Sequence, residues 1–525
     1  MQVGNDLEVI TRTPELPETL ESHLDFGANA GEIAQQNMDM TRLVQSPVAT
    51  ETRPVATDGQ SVRFATVNGV PIDLPKEVVI MILLGVCDAR PATAVTDAKL
   101  RCAAMMHGIG SVSFLLRHLA KDALMGDERA WLTVQVAAVA GCMACFPRAL
   151  SLRIVGDAWA RDIAAVLGST SVMRLEIAKN SLMRGCEGLG QLVGLRDLYI
   201  QGCSKLHDAA ALSSLVDLRT LRVSSCRLLD ATSLAPSLPR MARLASLHLV
   251  GVDVDAARAT SLAKSLESLT LLTSLDLSSV TSANQPLRAW ASLAPGLGPM
   301  AQLTSLMLSG NYLGTAGAAS LAPRLAKMTA LTYLYLHTNN LGAAGAVSLA
   351  PSLAGMREMT FLNLSDNHIG AAGAASLAQS LTQMTALTKL DLSGNAIGDA
   401  GATSLAPSLA KMTALTELRL SHNAIGAAGA ASLAQSMTQM TQLSELVLGR
   451  NSLGNAGATS LAPSLAHMAR LAYLNLAFTA IGAAGAESLA PSLARMGQLK
   501  VLYFSGNDIS AEAAARLHGN AEVVV

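Results

Sequence analysis

Aromatic residues are scarce in this chain of 525 residues, where 3 Trp, 6 Tyr and 7 Phe make up 3% of the total. Charged residues are also few, and 38 Lys and Arg nearly balance 39 Asp and Glu, which leaves a formal net charge of −1. Binding to nucleic acid relies on a basic excess that neutralises phosphates. We therefore expect no nucleic-acid partner.

Long apolar runs are missing as well, although half of the residues are hydrophobic. A helix needs about 20 apolar residues to span a bilayer. The longest runs, residues 78–86 and 131–146, are shorter, and Gln135 interrupts the second. Residues 1–10 are polar and acidic, unlike a cleavable signal peptide. We expect no membrane partner, and either export without a cleavable signal or a cytoplasmic location.

Motifs for catalysis or metal binding are not found. The sequence has no HExxH, GxSxG, P-loop or dinucleotide fingerprint. Its 10 His are dispersed, and none has a spaced carboxylate partner. Its 7 Cys include one lone C-x-x-C, Cys142 and Cys145, with no second pair or His at zinc-site spacing, and we interpret these two as small apolar residues of a helix, with a redox or metal role as the alternative. The odd number of Cys fits a reducing compartment. We expect no catalytic residue, no metal and no cofactor.

What the chain does have is a repeat of 28 residues, of which LTYLYLHTNNLGAAGAVSLAPSLAGMRE (residues 331–358) is one copy. A fixed period of this length is typical of a solenoid. Asn recurs in one slot of each unit, where Thr479 replaces it once: Asn311, Asn339, Asn367, Asn395, Asn423, Asn451 and Asn507. An Asn side chain can satisfy backbone groups where a strand turns.

Each unit has two halves with different periods. Leu334 and Leu336 alternate with variable residues, which indicates a strand, whereas Ala346, Leu349 and Leu353 recur on one face of a helix. Stacked copies would bury both apolar faces. The pattern LxxLxLxxNxLG resembles the leucine-rich repeat, and its length resembles the ribonuclease-inhibitor subtype. That resemblance implies an α/β leucine-rich-repeat solenoid, a horseshoe of strand–helix units.

Shorter units of 23 residues precede the regular 28-residue units, which we call the strict units. Cys203 and Cys226 take the Asn slot in two of the shorter units. We interpret these two cysteines as structural. The strand centres of all units are Leu152, Leu175, Leu198, Leu221, Leu247, Leu275, Leu306, Leu334, Leu362, Leu390, Leu418, Leu446, Leu474 and Leu502. The sequence therefore predicts about 14 repeats.

Proline, which is unfavourable inside a helix, lies in the helical half of five strict units. It stands at Pro323, Pro351, Pro407, Pro463 and Pro491. Because an interior Pro removes a hydrogen bond, we expect a kink or a helix broken in two. Gln379 and Gln435 hold the slot in alternate units, which indicates a 56-residue super-period from the duplication of a two-repeat block.

Composition divides the chain into four parts. Residues 1–68 are polar and rich in Pro, which predicts a disordered tail, with an export signal as the sharper alternative. Residues 69–145 are predicted to be a small all-helical module that caps the solenoid. The repeats occupy 146–519, and 520–525 form a short tail.

The stretch LPKEVVIMILLGV (residues 74–86) opens with a Pro at a predicted helix start, followed by a dense apolar run. It resembles the opening of an F-box, roughly LPxExxxxIL, with these residues in register: Leu74, Pro75, Glu77, Val78, Val79, Ile82 and Leu83. The resemblance implies a helical module that docks in a groove of the Skp-type adaptor of a cullin ubiquitin ligase. Together with Gly-Ala-rich repeats, it resembles the GALA-type effectors of plant-pathogenic bacteria, which implies a virulence protein in the host cytoplasm.

Strand residues between the buried leucines point to the opposite, concave face. Five of the six tyrosines fall in such slots, and Tyr recurs at protein interfaces. Its preference for strands is the alternative explanation. Charged residues lie between two aromatic patches. The predicted partner-binding residues are Tyr333, Tyr335, His337, Phe361, Asn363, Asp391, Glu417, Arg419, Tyr473 and Tyr503.

These patterns predict a non-enzymatic protein that holds a target protein on its concave face and presents it to a ubiquitin ligase. One alternative is a plain leucine-rich-repeat scaffold or inhibitor without a ligase link. A second is a GTPase activator, which would need an arginine finger on a loop. Arg153 and Arg174 are predicted on strands and do not fit that role.

Overall fold

The computed structural model describes residues 61–67, 70–75, 132–135, 151–155, 163–164, 167, 172–229, 231–280, 286–517 and 521–524. The chain separates into two compact units, residues 1–82 and 83–525. In the first unit, β1 (Ser61–Val67) and β2 (Val70–Pro75) pair as an antiparallel hairpin.

The second unit is organised around one parallel sheet of 16 strands among the described residues, in strict chain order. Its strands are β3 (Leu132–Gln135), β4 (Ser151–Val155), β5 (Arg174–Ala178), β6 (Asp197–Gln201), β7 (Thr220–Ser224), β8 (Ser246–Val250), β9 (Ser274–Asp276), β10 (Ser305–Met307), β11 (Tyr333–Tyr335), β12 (Phe361–Asn363), β13 (Lys389–Asp391), β14 (Glu417–Arg419), β15 (Glu445–Val447), β16 (Tyr473–Asn475), β17 (Val501–Tyr503) and β18 (Glu522–Val524).

The predicted strand centres are confirmed. Each of the 14 leucines lies in its own strand, from Leu152 in β4 to Leu502 in β17. Each of them except Leu502 pairs with the equivalent leucine of the next repeat. These leucines are 0% exposed. The alternation of buried and open strand positions therefore places one side-chain row on the helix side and one on the concave face.

Three described strands lie where we expected none. β1 falls in the range predicted to be a tail, while β2 and β3 fall in the range predicted to be all-helical, so those predictions are wrong at these residues. The Asn68-Gly69 pair between β1 and β2 is a sequence signal for a hairpin turn. The Leu132 and Val134 alternation continues the repeat pattern, and β3 pairs with β4 in the same register.

The C-terminal end carries a further strand. Residues 520–525 were expected to be a tail, but β18 pairs in parallel with β17 and extends the sheet by one strand.

Helices connect the strands of the 28-residue repeats on the other side of the sheet. They are α2 (Ala256–Leu266), α3 (Pro286–Leu293), α4 (Gly314–Leu325), α5 (Gly342–Leu353), α6 (Gly370–Leu381), α7 (Gly398–Leu409), α8 (Ala427–Met437), α9 (Gly454–Leu465), α10 (Ala483–Leu493) and α11 (Ala511–Leu517). The shorter repeats contain the four-residue α1 (Ala231–Leu234) and short 3-10 turns at Leu189–Gln191, Ala210–Ser214 and Leu238–Arg240.

Close helix packing depends on glycine at one buried position in each helix from α4 to α10. In α5, a Cβ on Gly345 would lie 3.1 Å from the Cβ of Leu341 and 3.3 Å from the Cβ of Ala318 in the preceding helix. Neighbouring helices can approach so closely only because the side chains between them are small.

Proline does not break the helices. α5 carries Pro351 and α6 carries Gln379 in the same slot, yet both helices are continuous over 12 residues, so the expected break is wrong. An interior Pro frees the carbonyl four residues earlier. Here that residue is Val347, whose side chain is 48% exposed, and water can reach this face of the helix.

The repeated asparagines form a buried ladder. Asn339 Nδ2 donates to Leu336 O in its own repeat and to Leu308 O in the preceding one, both at 2.8 Å. Its Oδ1 accepts from Asn311 N at 2.9 Å and from Leu313 N at 3.5 Å. The predicted role of the Asn slot at the turn is confirmed, and each amide also joins two repeats.

Candidate functional site

The concave face is the candidate site because the register of the sheet brings the predicted residues together. Equivalent positions of adjacent parallel strands lie about 4.8 Å apart. The first position of each strand forms one row: Tyr333, Phe361, Lys389, Glu417, Glu445, Tyr473 and Val501. The third position forms a second row: Tyr335, Asn363, Asp391, Arg419, Val447, Asn475 and Tyr503.

Three rings make up the first aromatic cluster, which comprises Tyr333, Tyr335 and Phe361. The Phe361 ring centroid lies 4.5 Å from that of Tyr335 and 6.4 Å from that of Tyr333, both in tilted arrangements. Tyr333 is 47% exposed. Burial raises the pKa of Tyr335, so its hydroxyl stays a hydrogen-bond donor at neutral pH. The cluster offers apolar area with polar tips, as protein-binding surfaces do.

The next three strands carry an ionic strip formed by Lys389, Glu417, Arg419 and Glu445. Lys389 Nζ lies 2.6 Å from Glu417 Oε1, and Arg419 Nη2 lies 2.8 Å from Glu445 Oε1. Arg419 Nε donates to the same Glu445 oxygen at 2.8 Å. Arg419 Nη2 is also 3.8 Å from Glu417 Oε2. The strip is therefore internally neutralised and pre-oriented.

Asp391 lies beside the strip with a different environment. Its Oδ1 accepts from Ser393 N at 2.9 Å, and burial raises the pKa of its carboxyl group. Burial also raises the pKa of Glu445, while the nearby Arg419 opposes that change. The charged forms of Asp391 and Glu445 consequently carry an electrostatic cost that a partner's cation would reduce.

Tyr473 and Tyr503 form the second aromatic cluster, with ring centroids 5.4 Å apart. Burial is the main cause of the raised pKa of Tyr473. Four strand spacings separate Phe361 on β12 from Tyr473 on β16, which places the two clusters roughly 19 Å apart. A partner that contacts both clusters must therefore span the ionic strip.

His337 and Asn363, the remaining predicted residues, differ in accessibility. Burial lowers the pKa of His337, although the carboxylates of Asp391 and Asp366 oppose this, so the ring is neutral near pH 7. Asn363 is only 9% exposed, and its Oδ1 accepts from Ser365 N and Oγ at 2.9 and 2.8 Å. Asn363 therefore stabilises the end of β12 and offers little surface to a partner.

The sequence did not predict one group of polar side chains on the same face, Ser246, His248 and Asp276. His248 Nε2 lies 2.9 Å from Ser246 Oγ, and His248 Nδ1 lies 3.5 Å from Asp276 Oδ2. The expectation that no histidine has a spaced carboxylate partner is thus wrong, because the relevant spacing is the 28 residues between adjacent strands. The Ser246 N–H donates to Arg219 O at 3.0 Å, so it is not available to stabilise an oxyanion.

The F-box-like residues are only partly described. Leu74 and Pro75 are the last two residues of β2, where they pair with Val62 and Ser61. The other predicted adaptor-binding residues lie outside the described residues: Glu77, Val78, Val79, Ile82 and Leu83.

Within the described residues, no group of three or more His, Cys, Asp or Glu side chains could hold a metal ion. No helix in that part of the chain is long and apolar enough to cross a membrane.

Comparison with known proteins agrees with this geometry. A family model described as Leucine Rich repeat matches residues 357–378, 383–406, 411–434 and 471–490. The solenoid is built of leucine-rich repeats. Their strand–helix alternation and buried leucines continue on both sides of the matched segments. Leucine-rich repeats are typically binding scaffolds for proteins.

Two solved structures show similarity to this leucine-rich-repeat chain. An internalin from Listeria monocytogenes is 19% identical, with a TM-score of 0.42, over 70% of this chain and 93% of the internalin. A leucine-rich-repeat protein from Leptospira interrogans is 17% identical, with a TM-score of 0.49, over 71% of this chain and 90% of that one. A search of the curated proteins found no match.

Proposed function

We propose that this leucine-rich-repeat protein is a non-enzymatic recognition scaffold that binds a target protein on the concave face of its strict repeats. The observation that carries this proposal is the pair of aromatic clusters in the same face, separated by an ion-paired strip. Aromatic anchors supply most of the binding energy at interfaces, whereas ion pairs contribute orientation.

Site-specific photo-crosslinking tests the concave face. A benzoylphenylalanine at position 335 or 503 should crosslink one and the same protein in a plant cell extract, the source that the GALA resemblance suggests. The matched control is position 347 on the helix side, which is also exposed. Crosslinking of the same protein from position 347, or of none from positions 335 and 503, would overturn the proposal.

The finer part of the proposal is that the bound target is brought to a cullin ubiquitin ligase. Its support is the F-box-like sequence from Leu74 to Leu83, together with its resemblance to effectors that act in the host cytoplasm. A pull-down of the full chain with a purified Skp-type adaptor tests it. Binding by the wild type that is lost in the Leu74→Ala/Pro75→Ala variant would support a ligase link. No binding by the wild type would leave a scaffold or inhibitor without that link.

A further inference from the structure

A second surface lies at the turn edge of the sheet, where the chain leaves each strict strand. The residue before each ladder position has a positive φ, and in three repeats this residue is Gly310, Gly394 or Gly506, with φ of 68°, 68° and 69°. The other five repeats place Thr338, Asp366, His422, Arg450 and Phe478 in this slot, with φ between 54° and 58°. Arg450 and Phe478 are the largest of these side chains. A side chain larger than glycine is unfavourable there.

The turn does not require these two side chains. Arg450 N donates to Ala477 O and Phe478 N donates to Ser505 O, both at 2.8 Å. Gly394 makes the equivalent bond to Ser421 O at 2.9 Å. Because the backbone bonds are the same with glycine, the two large side chains add strain without serving the turn.

The two side chains form one exposed pair. The Arg450 guanidinium lies 5.0 Å from the centroid of the Phe478 ring, and Phe478 is 51% exposed. The ring also lies over Gly506, where an added Cβ would collide with it. Glycine in the next repeat therefore makes room for the ring, and the guanidinium holds its other side.

Arg450 differs from the basic residues of the ionic strip. Lys389 and Arg419 are paired with carboxylates, whereas no carboxylate of the described residues pairs with Arg450. A guanidinium that stacks on a ring keeps its in-plane donors available for a bidentate carboxylate. The neighbouring exposed ring provides apolar area beside that charge.

We propose that Arg450 and Phe478, with Gly506 beneath the ring, form a docking site for a peptide segment that carries a carboxylate next to an apolar side chain. Phe478 lies in the turn after β16, five residues beyond Tyr473, so this rim site does not share a residue with the aromatic clusters. It is independent of the proposed target site on the concave face. The partner is a protein segment with acidic and apolar residues in sequence.

A phage-displayed library of random dodecapeptides, selected on the immobilised full chain, provides the probe. Enriched peptides should contain Asp or Glu beside Leu, Phe or Trp, and their synthetic versions should bind at least 10-fold more weakly to Phe478→Gly and to Arg450→Gly. Both variants should melt at the same or a higher temperature than the wild type, since they remove strain. A purely structural role for Arg450 and Phe478 predicts instead that both variants melt at a lower temperature than the wild type.

The glycine beneath the ring offers a matched pair of variants. Gly506→Ala and Gly394→Ala introduce the same backbone strain, but only the first displaces the Phe478 ring. Peptide binding should fall in Gly506→Ala and persist in Gly394→Ala. A Tyr473→Ser/Tyr503→Ser variant, which removes the second aromatic cluster, should keep the peptide. The proposal is overturned if no enriched peptide depends on Phe478, if the enriched peptides are basic, or if both glycine variants lose binding alike.

Discussion

The short repeats and the strict repeats place their leucines in the same sheet but hold it together differently. In the 23-residue repeats the return segment is a 3-10 turn of a few residues, as at Leu189–Gln191, whereas the 28-residue repeats accommodate helices of 11 or 12 residues. The additional residues supply a packed helix layer. Strand register is therefore independent of the connection that follows each strand.

The ladder slot differs as well. The Asn395 side chain makes five hydrogen bonds with backbone groups of its own and the preceding repeat, at 2.9 to 3.4 Å. In a short repeat, Cys226 takes this slot, and its Sγ lies 3.4 Å from Ser224 O and 4.0 Å from Ile200 O. A thiol is a weak donor and cannot bridge as an amide does. Repeat-to-repeat coupling through this slot should therefore be stronger in the strict region.

The largest expected effect is at the ladder itself. Asn395→Ala leaves the buried amides of Asn367 and Ile369 without the side-chain oxygen that they bond to, and it removes one of the two amide bonds at Leu364 O and at Leu392 O. We expect a loss of about 3 kcal/mol in the free energy of unfolding. Cys226→Ala should cost about 1 kcal/mol. Urea unfolding with hydrogen exchange at the Asn367 amide measures both. Equal losses in the two variants would contradict the difference between the two regions.

We expect a gain in stability at Thr479, where the asparagine ladder is interrupted. Thr479 Oγ1 bonds to Leu476 O at 2.7 Å, but a hydroxyl cannot also bridge to the preceding repeat as Asn451 does. Thr479→Asn should stabilise the chain by about 1 kcal/mol and slow exchange of the Asn451 amide. Thr385→Asn, at an exposed position outside the ladder, is the control. No gain at position 479 would show that the amide bridge contributes little.

A smaller effect concerns the buried carboxyl group of the concave face. Burial raises the pKa of Asp391 above its unfolded value, so the charged form is disfavoured in the folded chain. Asp391→Asn keeps the acceptor for Ser393 N, as Asn363 does for Ser365 N. We expect a gain of about 0.5 kcal/mol at pH 7.

The pH dependence of that gain has a defined sign. As the pH falls through the folded pKa of Asp391, the wild-type carboxyl group becomes neutral and the advantage of Asn disappears. Melting temperatures of both proteins from pH 7 to pH 4 measure this. A gain that grows towards low pH would contradict the burial argument.

The smallest effect concerns the ionic strip. Arg419→Met should raise the pKa of Glu445 further, because Arg419 lowers it in the wild type, while Lys389→Met should change it less. The stability cost should be only a few tenths of a kcal/mol, as is usual for partly exposed ion pairs. NMR titration of the Glu445 side chain distinguishes the two variants, and identical titrations would argue against the assigned pairing.

Strand positions were predictable because leucine alternation and a fixed period act locally on each unit. The Asn slot was predictable for the same reason. The aromatic clusters followed from the register, since equivalent residues of parallel strands become neighbours. Whether each predicted residue contacts a partner stays a prediction.

Other features depend on contacts between different repeats or on exposure to solvent, which the sequence pattern of one repeat does not show. His248 and Asp276 lie 28 residues apart and meet only across two strands. The exposure of Phe478 depends on Gly506 in the next repeat. The continuity of the helices around Pro351 depends on the freed carbonyl lying on the solvent face. Strand β3 was missed because apolar residues around it also fit a helix.

The most direct test of the proposed concave site is calorimetry with the partner identified by crosslinking. Tyr335→Ser/Tyr503→Ser removes one ring from each aromatic cluster, and the matched control is Tyr312→Ser, because Tyr312 is a 45% exposed tyrosine outside the concave strands. We predict at least a roughly 10-fold loss of affinity in the double variant and none in the control, with melting temperatures unchanged. Equal affinity of the wild type and the double variant would contradict the account.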